Sequence, residues 1–394
     1  MMSYRVLGTD RILENAEAPG TGDVSLGNPV PGYRSFSSVL SSDDTCNYFI
    51  EAVDENGVPT GDWERGFATF ATGSQLVRSL VMDSSNSGNL VDFTSDVRVG
   101  SAPMSETIST NFIPGGRLSV SATDPVADGD SDTLYYIPYL NDDITLFNGY
   151  GLQTIQASST AISVGGLPAG SAYDVFGYIS SDAKSIMSLE FNVWTDRNTR
   201  QDDLVYANGF LCKADDFTRR YLGSFYIGAV GLLQDWNNYG STTQSPAKRY
   251  LWNLYNRVRR DCFMFDSDLN WPVTNDNQWR IINNLTPPQG CLEVFRGLGD
   301  DLVEINGLVN CNLGVGGTYY TAIGLDSNSP IIESSIYGTF TNSGNKALNI
   351  GIPCSYSGRP GIGYHTLRLL ERLTGSTATG GSDGQSGMSG VVFA

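Results

Sequence analysis

The sequence predicts a mainly β protein. A small antiparallel β-module is followed by β-sandwich or jelly-roll-like domains, with one short helix near residues 246–258. Three observations predict this. Only 17% of the 394 residues are charged, while 45 are glycine; low charge with many turn formers suits short strands and tight turns. Aromatic residues reach 11% and supply large buried surfaces to a chain with only 40% apolar residues. Runs of alternating apolar and polar residues recur at short intervals, and amphipathic helical runs are scarce.

Taken in order, residues 1–30 carry turn formers without alternation and read as an extended N-terminal arm, ordered against a neighbour. Residues 31–104 read as the β-module. Ser35 to Leu40 is strand-like, Asn47–Val53 is a strand, and Asp54–Gly57 makes a turn with Gly57 at positive φ. Asp62–Phe70 returns, and Gln75–Met82 follows. Residues 105–132 are low in apolar residues and read as a linker. A sandwich-like domain is expected over 133–261. Leu134–Tyr139 opens it, with Pro138 marking a sheet edge or bulge. Tyr173–Ile179 and Met187–Thr195 alternate cleanly, so each has one wet face. A C-terminal β-rich domain covers 262–394. Gly361–Leu373 fits either a long strand or a helix, and Thr374–Met388 reads as a draped loop.

The segment 218–260 is the packing centre, dense in arginine, tryptophan and tyrosine. Tyr221–Ile227 is strand-like. Ser245-Pro246 looks like a helix start, and Leu251, Leu254, Tyr255 and Val258 then fall at helical spacing. The rival reading is one long buried strand through Tyr250-Leu251-Trp252.

The formal net charge is −18. Such a surface repels phosphate backbones, so no nucleic-acid partner is expected. No run of about 20 apolar residues exists, so membrane insertion is not expected, and the opening residues lack the pattern of a signal peptide. Six cysteines, with no C-x-x-C pair and a single histidine, argue against a zinc site. Up to three disulfides are permitted, but buried free thiols are the expectation.

Two long runs carry a resemblance. The first is TCNYFIEAVDENGVPTGDWERGFATF with the following LVRSLVMDSSNSGNLVDFTSDVRV. It resembles a small β-module of structural proteins in tailed-bacteriophage virions. The second comprises Thr218–Ala229 and Ser245–Arg260, which resemble phage fibre or head-decoration proteins; the ending QSGMSGVVFA is similar to their C-termini. The stretch Leu233–Asn238 departs from that pattern. The resemblance implies a non-enzymatic structural protein: a tail fibre, head spike or capsid decoration, made in the host cytoplasm and carried on the virion surface. It also implies a homotrimer that contacts other virion proteins and attaches to the host. The alternatives are a capsular polysaccharide depolymerase with a carboxylate pair and a purely stabilising capsid cement protein.

No catalytic, cofactor or metal residue is expected. His365 is the single histidine, no G-x-S-x-G motif accompanies it, and its expected role is structural. Asp128, Asp130 and Asp132 have the spacing of oxygen ligands for Ca²⁺ but lack the rest of an EF-hand, and read as a solvated acidic stretch. Trp236, Tyr239, Trp271 and Trp279 lie among Asn, Asp and Gln, which suits stacking on sugar rings and bonding hydroxyls of a host-surface polysaccharide. Ordinary packing is the competing reading. Arg219, Arg220, Lys248, Arg249, Arg257, Arg259 and Arg260 concentrate positive charge within an acidic chain. They suit contacts with acidic neighbouring copies or virion partners, or else salt bridges within the fold.

Overall fold

The computed structural model describes residues 6–7, 11–104, 113–180, 184–237, 246–330, 335–381 and 384–394. Within these residues the protein is almost entirely β, with two short 3-10 turns. The mainly-β expectation holds.

Six strands of the N-terminal part close into an antiparallel barrel. The ring runs Thr45–Val53, Pro59–Ala71, Gln75–Ser84, Val24–Pro29, Leu13–Ala16, Val97–Gly100 and back to Thr45–Val53. Closure leaves these strands no free edge, which removes the usual template for aggregation. Residues 13–16 and 24–29 are therefore part of the barrel wall, which corrects the expected free arm. They lack clean alternation because they are short and bent by a register shift. Ser35–Leu40 is not a strand: Phe36–Ser38 is a 3-10 turn capped by the Ser35 hydroxyl. Gly57 takes φ of +75° in its turn, as expected. Phe36, Ile50, Phe93 and Val99 fill the barrel.

The barrel also encloses a charge pair. Glu64 is fully buried and accepts from the Tyr48 hydroxyl at 2.6 Å and the Val91 amide at 2.8 Å. Arg78 meets Glu64 at 3.2 Å and donates to the carbonyls of Gly20, Gly22 and Val91. Buried charges persist only when paired and hydrogen-bonded, and this pair ties two irregular segments onto the wall.

The expected linker is only partly one. Residues 105–112 lie outside the described residues. Beyond them, Gly116–Ser119 is a buried strand paired with Thr133–Pro138, and Gly129–Ser131 pairs with Leu232–Trp236. Low apolar content concealed them because Gly116, Arg117 and Ser119 are buried through hydrogen bonding and close packing rather than oiliness. Pro138 closes a strand lying between two others, exposed at its end, so the strand is not an edge.

One large sheet draws strands from Gly129–Ser131 to Gly363–Thr374, with a three-stranded and a two-stranded sheet formed by Gly116–Ser119 and residues 133–163 beside it. Its main path is Met187–Val193, Ser171–Ile179, Asp216–Ala229, Leu232–Trp236, Lys248–Arg249, Cys291–Arg296, Gly363–Thr374, Thr318–Leu325 and Gly338–Thr341. The expected helix is absent: Lys248–Arg249 and Leu251–Asn253 are strands. Lys248 and Arg249 pair in parallel with Glu293 and Val294, while Leu251–Asn253 pairs with Gly223–Phe225. Ser245, the expected cap, lies outside the described residues. The expected division at 261/262 falls inside the strand Arg259–Asp266.

A second sheet of Arg259–Asp266, Ser386–Phe393, Val303–Leu313, Leu348–Gly358 and Ser335–Ile336 faces the C-terminal half of the first. Between them lies a core that includes Leu292, Ile305, Val309, Tyr319, Leu367 and Met388. Gly361–Leu373 resolves as the strand Gly363–Thr374. The expected loop over 374–388 instead holds the strand Ala378–Gly380 and the start of Ser386–Phe393. Its glycines are used for close approach: a Cβ on Gly380 would stand 2.1 Å from the Trp271 ring. All six cysteines are buried and free.

Candidate functional site

The predicted basic cluster divides by burial. Arg220, Arg249 and Arg260 are buried, which corrects the expectation that they contact partners. Arg220 donates to the Thr145 carbonyl at 2.6 Å and lies over the Phe210 and Tyr255 rings. Arg249 meets Asp128 at 2.5 Å, and Arg260 bridges Asp128 at 2.7 Å and Asp235 at 2.8 Å. Burial raises the Asp235 carboxyl above its ordinary value even though Arg249 and Arg260 oppose it. Asp128, still partly exposed, thus serves as a counter-ion to both arginines. Arg219 pairs with Glu190 at 2.8 Å, Arg257 with Asp301 and Asp300, and Lys248 donates to Gln234. Arg259, mostly exposed, meets Asp261 at 3.2 Å.

The predicted aromatic residues also separate. Trp271 is buried, with its indole donating to Glu371 at 3.1 Å, so it is a core residue and not a sugar platform. Tyr239 lies outside the described residues. Trp236 is half-buried and carries the Lys248 ammonium 5.8 Å from its ring centroid. No ring contact joins Trp236 to Trp279 among the described residues.

Trp279 does belong to a surface cluster. Tyr320 and Arg372 are register partners on adjacent strands, and Tyr320 is also paired with Thr339. The parity of the strand fixes their face. Tyr319 and Thr321 point into the sandwich core, so Tyr320 points out. Trp279 enters the same row just before Arg280 pairs with Glu371. The Arg372 guanidinium carbon stands 4.8 Å from the Trp279 ring centroid and 4.0 Å from that of Tyr320. The two rings are 6.3 Å apart at 71° to each other, and Tyr337 adds a third ring 5.9 Å from Trp279. Beside them run hydroxyls: Thr318 is partnered with both Thr374 and Thr341, and its Oγ1 lies 2.9 Å from that of Thr341. Asn275 accepts from the Gly375 amide and Asn277 donates its amide to the Leu373 carbonyl, which lays the amide-rich segment 275–278 along the row.

Aromatic faces flanked by hydroxyls and amides match a saccharide, whose C–H faces are apolar and whose rim is hydroxylic. The sequence offered Trp279 but not Tyr320, Tyr337 or Arg372. Their only local signal is strand parity, and that became readable once Tyr319 was known to face inward.

Other buried polar groups are structural. Glu371 accepts from Tyr319, Trp271 and Arg280, and burial raises its carboxyl despite these partners. His365 is buried, with Nδ1 2.8 Å from Asp326. Burial alone would raise the Asp326 carboxyl, but bonds from His365 and the Thr366 amide hold it lowered. No group of three or more His, Cys, Asp or Glu able to hold a metal occurs among the described residues, nor does a helix long and apolar enough to cross a membrane.

No family model matches the chain, and no curated protein matches it. Among solved structures it aligns with the insecticidal delta-endotoxin Cry8Ea1 from Bacillus thuringiensis at 10% identity and a TM-score of 0.18, covering 74% of this chain and 55% of that one. It also aligns with a glycoside hydrolase family 43 arabinoxylan arabinofuranohydrolase from Bacillus subtilis at 13% identity and a TM-score of 0.18, covering 96% and 78%. At such scores neither likeness carries an argument about this chain.

Proposed function

We propose that the chain is a non-enzymatic structural protein of a tailed-phage virion, a fibre, head spike or capsid decoration, that presents its β-domains for attachment to host-surface saccharide. The single observation that carries the attachment role is the outward row of Trp279, Tyr320 and Tyr337 with its threonine hydroxyls. The virion setting rests on the resemblance of residues 45–99, 218–229 and 245–260. In this reading the barrel end fixes the protein to the particle and the C-terminal sandwich faces outward.

One such row binds weakly, because a shallow surface buries little of a sugar. Display in many copies, with a homotrimer as the unit, converts weak contacts into avidity of roughly 10²–10⁴ over a single site. The test is binding of the purified full chain to polysaccharide isolated from the host surface. Tyr320→Ala and Trp279→Ala should each weaken binding about tenfold; the melting temperature should change little for Tyr320→Ala and fall for Trp279→Ala, whose ring packs against the sandwich core. Undiminished binding by both variants would remove the row from the function.

A further inference from the structure

We infer that the Trp279–Arg372–Tyr320 row takes an acidic saccharide, with a sugar carboxylate bound on the N–H edge of Arg372; this rests on the row being a saccharide surface. The inference begins with what Arg372 lacks. Its guanidinium makes no hydrogen bond or ion pair with any described residue, and its Nε is buried without a partner. The chain has 42 acidic residues against 24 basic ones, and other arginines here find carboxylates. Arg219 has Glu190, Arg257 has Asp301, and Arg280 has Glu371. Glu371, next to Arg372 in sequence, points to the opposite face and is consumed by Tyr319, Trp271 and Arg280.

Position completes the argument. The Arg372 guanidinium carbon lies over two rings set at 71° to each other, and these two cation–π contacts hold the group in place. Because Nε is buried, what remains for bonding is the outer Nη1–Nη2 edge, whose two N–H groups suit a carboxylate in two parallel hydrogen bonds. A cation held over two rings and unpaired with any described residue, beside sugar-compatible aromatic faces, is a specificity device. It would place the carboxylate of a uronic-type residue at Arg372 while the ring of that residue, or of its neighbour, lies on Tyr320 or Trp279. The net charge of −18 repels acidic polymers at long range, so selectivity for them has to come from this local fork.

The full chain is titrated with polygalacturonate, hyaluronan and alginate, each beside its carboxyl-reduced form, and with dextran as the neutral polymer. At least one acidic polymer should bind about tenfold tighter than its reduced form. Arg372→Gln should abolish the preference, so that the acidic polymer and its reduced form bind that variant alike. Arg372→Lys, which keeps the charge and loses the fork, should fall between. Equal affinity for acidic and reduced forms, or an Arg372→Gln variant that binds as the parent does, overturns the inference while leaving the saccharide reading in place. Failure of every polymer, dextran included, overturns both. A melting temperature of Arg372→Gln within a few degrees of the parent separates lost recognition from lost folding.

Discussion

Tyr320 and Arg372 face each other across neighbouring strands on the outer side of the C-terminal sandwich, the guanidinium carbon 4.0 Å from the ring centroid. The same ring position is braced from within, because Tyr319 hydrogen-bonds the buried Glu371. Tyr320 and Arg372 are therefore presented by rigid strands and need not be ordered by a ligand, whereas Trp279 and Tyr337 sit on the connections just before Arg280–Ile281 and Gly338–Thr341.

The row gives a spectroscopic expectation. Trp279 is one of six tryptophans but the one within the row. Saccharide titration should change tryptophan emission in the parent protein, and Trp279→Phe should lose most of that change. An unaltered response in the variant would mean that sugar binds elsewhere.

A second expectation concerns the pair inside the barrel. Arg78→Ala leaves Glu64 as an uncompensated buried carboxylate and should cost about 3–5 kcal/mol. Replacing both with apolar residues of similar size should cost less. Thermal melting of the three proteins, with limited proteolysis to follow the barrel itself, checks the order.

Asp326 supplies a pH dependence whose sign is fixed. Its carboxyl is held below the ordinary value, so its contribution to stability is present above the unfolded value of 3.8 and is lost as pH falls through the lower folded value. Asp326→Asn should lower the melting temperature near neutral pH, and the difference from the parent should shrink toward zero in acid. Glu14, Asp174, Asp235 and Glu371 act in the opposite sense, since burial raises each of them. Comparison of Asp326→Asn with the parent cancels their contribution.

The cysteines should be chemically silent. Burial pushes the thiols of Cys46, Cys212, Cys291, Cys311 and Cys354 up to about 12 and that of Cys262 to about 11. A thiolate-specific reagent should label none in the native protein and all six after unfolding. Fast labelling of any one in the native state would contradict its placement.

Much of the fold was legible locally. Tyr173–Ile179 and Asn47–Val53 are strands as expected, but Tyr173 to Gly177 are all buried, which corrects the wet face expected there because neighbouring layers cover both sides. Alternation placed Met187–Val193 with its wet face correctly, because a strand with one wet face writes its period into adjacent residues. The segment 246–258 misled for the complementary reason. Leu251 and Leu254 fit helical spacing, yet what decides their conformation is pairing with Gly223–Phe225 and, for Arg249, with Val294. Such partners are invisible in a local window. The basic cluster left partner contacts and internal salt bridges both open for the same reason: Arg249 is neutralised by Asp128, 121 residues away. Of the candidate site, Trp279 was legible from its amide-rich surroundings, whereas Arg372 looked like any other strand arginine until its neighbours were in place.

The central claim is saccharide attachment without cleavage. Purified protein incubated with host-surface polysaccharide should co-elute with the polymer on size-exclusion chromatography, and the polymer recovered after denaturing the protein should keep its full length. Shortened polymer would make the chain a depolymerase, and separate elution under multivalent conditions would contradict attachment altogether.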